Sequence, residues 1–314
     1  MTFPIFPEQA SKVAERTDNL YWGLLCLSAA VCLVVFVPMI YFIIKYRNGK
    51  PADRRQLHLP EVKMEVTWTI IPMLVFMCFY TWGARNYFLI ERPPPNSMPI
   101  YVVGKQWMWK IQHPEGKREI DQLHVPVGRM VKLTMTSQDV IHSFFLPEFR
   151  VKQDVVPGRY TTEWFQPDKI GTYHIFCSEY CGTSHSHMVG QVIVMSPADY
   201  QDWLTRGRPQ SSMVQSGGQL FRELGCSGCH MGQSLVRAPP LEGLFGKPVP
   251  LNDREVVTAD EGYIRDSILF PAKQIVGGYT NDMPSFNKKV SEEQLLQLIA
   301  YIKSLGTQSP SIKP

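Results

Sequence analysis

The chain predicts a multidomain protein in three parts: a two-helix transmembrane hairpin, an all-β sandwich and a small all-α domain. Three observations give this division. Two long apolar runs, residues 20–44 and 66–84, carry no charge. Between residues 100 and 195, short β-rich segments alternate with breaks such as Pro114-Glu-Gly, Pro126-Val-Gly and Pro157-Gly. Beyond a polar stretch at 206–212, the pattern turns helical around Cys226-Ser-Gly-Cys229-His230. The expected boundaries are 1–95, 96–205 and 206–314.

Roughly twenty apolar residues cross a bilayer as a helix, so the two runs predict spans at about 20–44 and 65–90. Between them Lys45, Arg47, Lys50, Arg54, Arg55 and Lys63 outnumber Asp53, Glu61 and Glu65. The positive-inside rule makes that loop cytoplasmic and puts both termini, with everything beyond the second span, on the outer side. The first span is too long for a signal-peptide core, and its leader lacks a positive excess. Neither span contains a histidine, so this chain cannot ligate haem or copper inside the bilayer. His58, the histidine nearest the membrane, falls in the loop.

In the middle part, strands are expected at 100–103, 107–111, 119–125, 130–136, 150–155, 160–165, 171–175 and 191–195. Short strands at this spacing indicate a sandwich or barrel. Near its C-terminal edge comes Cys177-Ser-Glu179-Tyr-Cys181-Gly-Thr-Ser-His185-Ser-His-Met188. Thiolates, imidazole and thioether select copper over hard cations. His142, in an extended apolar segment upstream, supplies a second imidazole. A structural zinc site would have no use for the methionine, and a disulfide would leave the histidines unexplained. A thiol-rich copper loop on a small sandwich is the mark of a cupredoxin-like domain. His174 is expected to be structural and His187 to face away from His185. His113 and His124 look like ordinary surface residues.

In the last part, Cys226-Ser-Gly-Cys229-His230 is the form that attaches a c-type haem, through Cys226 and Cys229 with His230 as proximal ligand. Met231 is too close to His230 to reach the other ring face, which leaves Met283 as the distal ligand. Such a pair raises the haem potential. Flanking helices are expected at 213–224 and, from a Ser291-Glu-Glu-Gln294 capping box, at 291–305, crossing near Gly218, Phe221 and Tyr301. The seven cysteines divide between membrane runs (Cys26, Cys32, Cys78), copper loop and haem motif, leaving none for a disulfide framework. The formal net charge is +4, and basic and acidic residues nearly balance beyond residue 100, which excludes a nucleic-acid footprint.

The set His142, Cys177, Glu179, Cys181, His185 and Met188 resembles the dinuclear copper (CuA) site of cytochrome c oxidase subunit II. Gly104-Lys-Gln-Trp107-Met-Trp109 resembles that family's aromatic segment, and Glu65-Val-Thr-Trp68-Thr-Ile-Ile-Pro72 resembles the start of its second membrane helix. The resemblance spans about residues 18–200. It implies that Cys177 and Cys181 bridge two copper ions, that His142 and His185 ligate one each, that Met188 binds weakly, and that Glu179 binds through its carbonyl. It further implies a magnesium ion shared with subunit I at the Glu179 carboxylate, a hard ligand. Trp107 would receive electrons, and Glu65 would mark the mouth of a proton path. With the class I cytochrome c domain, the arrangement is that of a caa3-type haem-copper oxidase, a proton-pumping enzyme of the bacterial cytoplasmic membrane. Its implied partners are subunit I, bearing haem a and CuB, and subunit III. An external donor, such as a c-type cytochrome or an upstream complex, would feed the haem. Oxygen chemistry would lie on subunit I, with no catalytic residue on this chain. The alternative is the copper-site subunit of a nitric oxide reductase.

Overall fold

The computed structural model describes residues 6–51, 61–206, 211–231 and 238–306. His58, Arg54, Arg55 and positions 207–210 of the expected linker lie outside the described residues. Two compact units emerge, Met1–Pro93 and Pro94–Pro314.

The first unit is a helical hairpin, α1 (Lys12–Lys45) and α2 (Glu61–Glu91). Both helices are long and apolar enough to cross a membrane, and none of the apolar window is buried by protein. They start earlier than expected because an apolar run marks what sits in lipid, not where a helix begins. Ser11 caps α1, its hydroxyl accepting from the Ala14 N–H at 3.1 Å, so a polar first turn precedes the span. The helices run antiparallel. A Cβ on Gly23 would lie 3.2 Å from the Trp82 ring, so the small residue admits close approach there. Pro38 and Pro72 lie inside the helices.

The second unit opens with ten strands in two sheets: β1 (Met98–Lys105), β2 (Met108–Gln112), β3 (Arg118–Ile120), β4 (Gln122–Pro126), β5 (Val131–Ser137), β6 (His142–Leu146), β7 (Val151–Val155), β8 (Thr161–Phe165), β9 (Gly171–Cys177) and β10 (Val189–Met195). One sheet has the order β3-β2-β1-β5-β8, the other β4-β10-β9-β6-β7. Pairing is antiparallel except for β1 with β5 and β10 with β4. Trp109, Phe144, Phe149 and Phe165, each fully buried, fill the space between the sheets. The extended apolar segment expected around His142 is β6; alternation did not give its bounds, because His142-Ser-Phe-Phe-Leu146 is covered on both faces. The single strand expected at 119–125 is two, split at Asp121, whose φ of 57° interrupts the extended chain.

Helix α3 (Pro197–Thr205), not expected from the sequence, leaves the sandwich with Ser196 as its N-cap. The helical domain follows: α4 (Met213–Glu223), α5 (Ser227–His230), β11 (Pro248–Pro250), β12 (Val256–Thr258), α6 (Glu261–Leu269) and α7 (Glu292–Ser304). Capping boxes at Ser212/Gln215 and Ser291/Gln294 start α4 and α7. These helices cross at Gly217, where a Cβ would stand 1.9 Å from the Gln297 carbonyl oxygen. Phe221 and Tyr301 meet beside the crossing with ring centroids 5.2 Å apart.

Candidate metal centre

The sheet order sets β6 beside β9, and the chain leaving β9 turns back through a 3-10 turn at His185–His187 into β10. The start of one strand and the loop between two others are thereby brought to one end of the sandwich. His142 is fully buried there. Its ligating atom and those of Cys177 and Cys181 all lie within 4.8 Å of one another. The two sulfurs stand 3.8 Å apart as free thiols. Cys177 donates to the Glu179 carbonyl at 3.3 Å, and the Cys181 sulfur is 3.5 Å from His185 Nδ1 and 3.8 Å from the Met188 sulfur. Every side chain of the expected set, and the Glu179 carbonyl, meets within this cluster. The Glu179 side chain itself is exposed.

The protonation pattern suits a metal. His142 Nε2 pairs with the Asp139 carboxylate at 2.8 Å, while its buried Nδ1 makes no hydrogen bond. A metal-binding imidazole is commonly held this way, one nitrogen fixed by a carboxylate and the other free. Burial pulls the His142 pKa down, but Cys177 and Asp139 outweigh it and raise it. Burial also pushes the Cys177 thiol up, and the His142 ring and the Ser143 backbone more than reverse this. For Cys181, burial and the neighbouring Cys177 both act upward. A pair of thiols that resists losing both protons in the absence of a cation is a pair that a cation would stabilise.

Several residues that support this cluster escaped sequence analysis. Asp139 stands three positions before His142, and burial, which raises its pKa, is outweighed by hydrogen bonds from the Gln106 N–H and His142. Gln106 also donates to the Cys181 carbonyl at 2.7 Å. Gly104 lets β1 press on the imidazole, since a Cβ there would lie 3.0 Å from His142 Cδ2. The signal for Asp139 was its spacing; Gly104 and Gln106 fall in the aromatic segment already marked by resemblance, but nothing there pointed to their contacts with the ligands. Trp107 is half-buried and lies against the ligand loop, its ring 3.3 Å from where a Gly182 Cβ would be. Glu65 lies on an exposed stretch of α2.

Two histidines expected at the surface have structural roles instead. His113 is fully buried, with Nδ1 3.1 Å from the Tyr200 hydroxyl and Nε2 2.7 Å from Glu119. His124 bonds the other oxygen of Glu119 and stacks on Trp203 at 4.4 Å. Burial pushes Glu119 up, but the two imidazoles hold its carboxyl below the usual range. His174 pairs with Glu148 at 2.8 Å, and His187 is exposed.

The helical domain contains a largely apolar cavity lined by Cys226, Cys229, His230 and Met283, among others. His230 Nδ1 lies 3.0 Å from the Pro239 carbonyl oxygen. A carbonyl only accepts, so Nδ1 carries the proton and Nε2 is left with a free lone pair. Both thiols are free, and Met283 reaches the same cavity from the far side of the sequence. Met231 is 51% exposed and points elsewhere.

Fold and clusters together define a membrane-anchored protein that joins a cupredoxin-like domain to a c-type cytochrome domain. Residues 117–196 match the family "Cytochrome C oxidase subunit II, periplasmic domain", residues 2–82 its transmembrane domain, and residues 214–306 the family "Cytochrome c". "Cytochrome c oxidase subunit 2" of Alkalihalophilus pseudofirmus is 32% identical over 92% of this chain and 86% of its own length. The protein of that name from Thermostichus vulcanus is 31% identical over 63% of this chain and 77% of its own. The crystal structure of the periplasmic domain of subunit II of cytochrome oxidase of Bradyrhizobium japonicum is 30% identical, covering 36% of this chain and 94% of that one, with a TM-score of 0.35. The chain belongs to the cytochrome c oxidase subunit II family and carries a cytochrome c domain at its C-terminal end. It is thus a component of a terminal oxidase. Its cytochrome c domain implies haem c, and its subunit II domain implies copper.

Proposed function

We propose that the chain is the electron-transfer subunit of a caa3-type respiratory oxidase. Cys177 and Cys181 would bridge a copper pair completed by His142, His185, Met188 and the Glu179 carbonyl. Cys226 and Cys229 would hold haem c covalently, with His230 and Met283 on its iron. Bound there, the haem would take electrons from an external donor, and the copper pair would pass them to the oxygen-reducing subunit I. The protein's own part is to position and insulate. Asp139 fixes the His142 tautomer, Gln106 ties down the ligand loop, and the buried strands exclude water, which keeps reorganisation on redox change small.

The observation that carries this reading is the convergence of two free thiols, two imidazoles and a thioether around one buried, unbonded nitrogen. The exposed Glu179 carboxylate is suited to a magnesium ion shared with subunit I, and Trp107 and Glu65 keep their proposed roles in electron receipt and proton access. Subunit III is the further expected partner. The redox domains are proposed to face the outer side of a bacterial cytoplasmic membrane. The purified complex should show a c-type α band and the near-infrared absorption of a mixed-valence copper pair, and it should consume oxygen. Cys177→Ser or Cys181→Ser should remove most of the copper and its band while leaving the α band intact. Unchanged copper content in both variants would overturn the ligand assignment, and nitric oxide reduction without oxygen uptake would overturn the reaction.

A further inference from the structure

Asp139 holds one edge of the His142 ring, and that contact alone does not orient it. Nε2, 2.8 Å from the carboxylate, lies closer to the Cβ–Cγ axis than Nδ1 does. Turning the ring about that bond therefore moves Nδ1 further than it strains the hydrogen bond, and the histidine χ2 torsion is intrinsically broad. A stop for this rotation is supplied by Trp109. Its indole is fully buried and meets the imidazole edge-on, with centroids 5.8 Å apart and 66° between the planes. Both rings rest on Gly104, where a Cβ would stand 3.0 Å from His142 Cδ2 and 3.2 Å from Trp109 Cζ3. Trp109 also packs T-shaped on Phe144 at 4.9 Å.

No side-chain hydrogen bond fixes Trp109, since its indole N–H is buried without a partner among the described residues. Its backbone is fixed instead. Strand β3 turns away from β2 at Asp121, where φ is 57°, so the ladder there would end with the Trp109 N–H unpaired. The Asp121 side chain takes the place of the missing strand. Its carboxylate accepts from the Trp109 N–H at 2.7 Å, and its own N–H donates to the Trp109 carbonyl at 2.9 Å. The Asp121 carbonyl in turn accepts from the Gln191 N–H of β10 at 2.9 Å. Gly190 admits this approach, because a Cβ there would lie 2.5 Å from the same oxygen. Strand β10 begins at Val189, directly after Met188. One residue thus ties the strand that carries Trp109 to the strand that leaves the ligand loop, across the two sheets.

Resting on the function proposed above, we infer that Asp121 is a positioning residue of the copper centre, acting through Trp109 on the rotation of the His142 ring. It is not a ligand. It fixes the Trp109 backbone against β10, the indole then stops the imidazole, and Nδ1 is kept in one direction for the metal. A merely structural tie would lower stability without singling out one of the two imidazoles.

The test uses the full chain in the oxidase complex. Asp121→Gly accepts the positive φ and removes only the carboxylate. Asp121→Asn keeps an acceptor oxygen and tolerates the same backbone. Val131→Ala is the control for lost stability: Val131 is fully buried at the other end of β5 from Ser137, the residue that pairs with Gly104, and its own partners across the sheet are Met98 and Phe165. Electron-nuclear double resonance on the copper-loaded complex resolves the nitrogens of the two ligating imidazoles. Asp121→Gly should shift one coupling and leave the other, and should weaken copper retention against a chelator by about tenfold. Asp121→Asn should restore the coupling and bring retention within about twofold of the parent. Unchanged couplings in Asp121→Gly, or the same shift in Val131→Ala, would overturn the assignment. Should Asp121→Gly not assemble, Trp109→Phe shortens the stop directly and must shift that same coupling, or the assignment fails. The ring can also be read without copper. Exchange of the His142 Cε1 hydrogen, followed by mass spectrometry, should quicken about threefold or more in Asp121→Gly and stay at the parent rate in Val131→Ala. A parent chain that binds no copper would defeat the ligand assignment, and this exchange would still decide the role of Asp121.

Discussion

Glu163 carries the least compensated charge in the sandwich. It alternates with Phe165 on the core face of β8, is 6% exposed, and neither of its carboxylate oxygens has a hydrogen-bond partner. Burial drives its pKa well above the usual value, and the nearby Lys152 opposes this only weakly. The sign follows from linkage. The unfolded chain releases this proton above about pH 4.3, while the folded chain keeps it, so the contribution is full below that pH and is lost as pH rises toward the folded pKa. Glu163→Gln cannot ionise. Its stability relative to the parent should therefore grow from pH 5 to 8, by up to about 1.4 kcal/mol per pH unit in thermal unfolding of the full chain. A difference that stayed constant with pH would refute the assignment. Residues of this kind are what a sequence hides. Cys177, Cys181 and His185 could be read directly, because soft donors crowded into one loop have few other uses. Glu163 in β8, and His113 with His124 flanking Glu119, look like surface residues until the sheets bury them.

At the scale of elements, the α4/α7 crossing is the tightest contact in the cytochrome domain. Gly218 tolerates some change, since an added Cβ would meet the movable Tyr301 ring at 3.0 Å. Gly217 does not, because its Cβ would overlap the Gln297 backbone carbonyl at 1.9 Å. Gly217→Ala should push the helices apart and cost about 3 kcal/mol or more, against 1 kcal/mol or so for Gly218→Ala. The midpoint of denaturant unfolding, followed by haem absorbance, measures both. Equal costs would mean the helices re-pack freely. Sequence periodicity found both helices and placed Gly218, Phe221 and Tyr301 at the crossing. It could not single out Gly217, because closeness of backbones is a property of two helices together. The same limit applies to the bounds of β6, which lacks alternation because both its faces are covered, and to α3, whose short amphipathic turn offers little pattern.

At the scale of the whole chain, the order of parts was legible and their association was not. Transmembrane runs, ligand loop and haem motif follow one another in sequence. Tyr101 and Val103 of β1 pack against Met213 of α4 and Leu296 of α7, from either side of the linker, and each of those segments alone looks like ordinary strand or helix. What the sequence does constrain is sidedness. The loop between the spans is rich in Lys and Arg, and the thiols of both redox clusters must be loaded on one side of the membrane. Residues 94–306 are proposed to lie outside. Protease added to intact spheroplasts should then remove the sandwich and cytochrome domains and leave a fragment holding both spans, whereas in inside-out vesicles it should cut only the inter-span loop. The expected outside fragment also bears on how the sandwich and the cytochrome domain associate. Cleavage at the linker should leave the cytochrome domain bound, because the packing of Met213 and Leu296 on Tyr101 and Val103, the Lys110–Glu293 pair and the hydrogen bond from Arg265 to the Gly158 carbonyl do not depend on chain continuity. Digestion of residues 94–306 from the inside-out face would reverse the orientation and, with it, the side from which an external donor must approach.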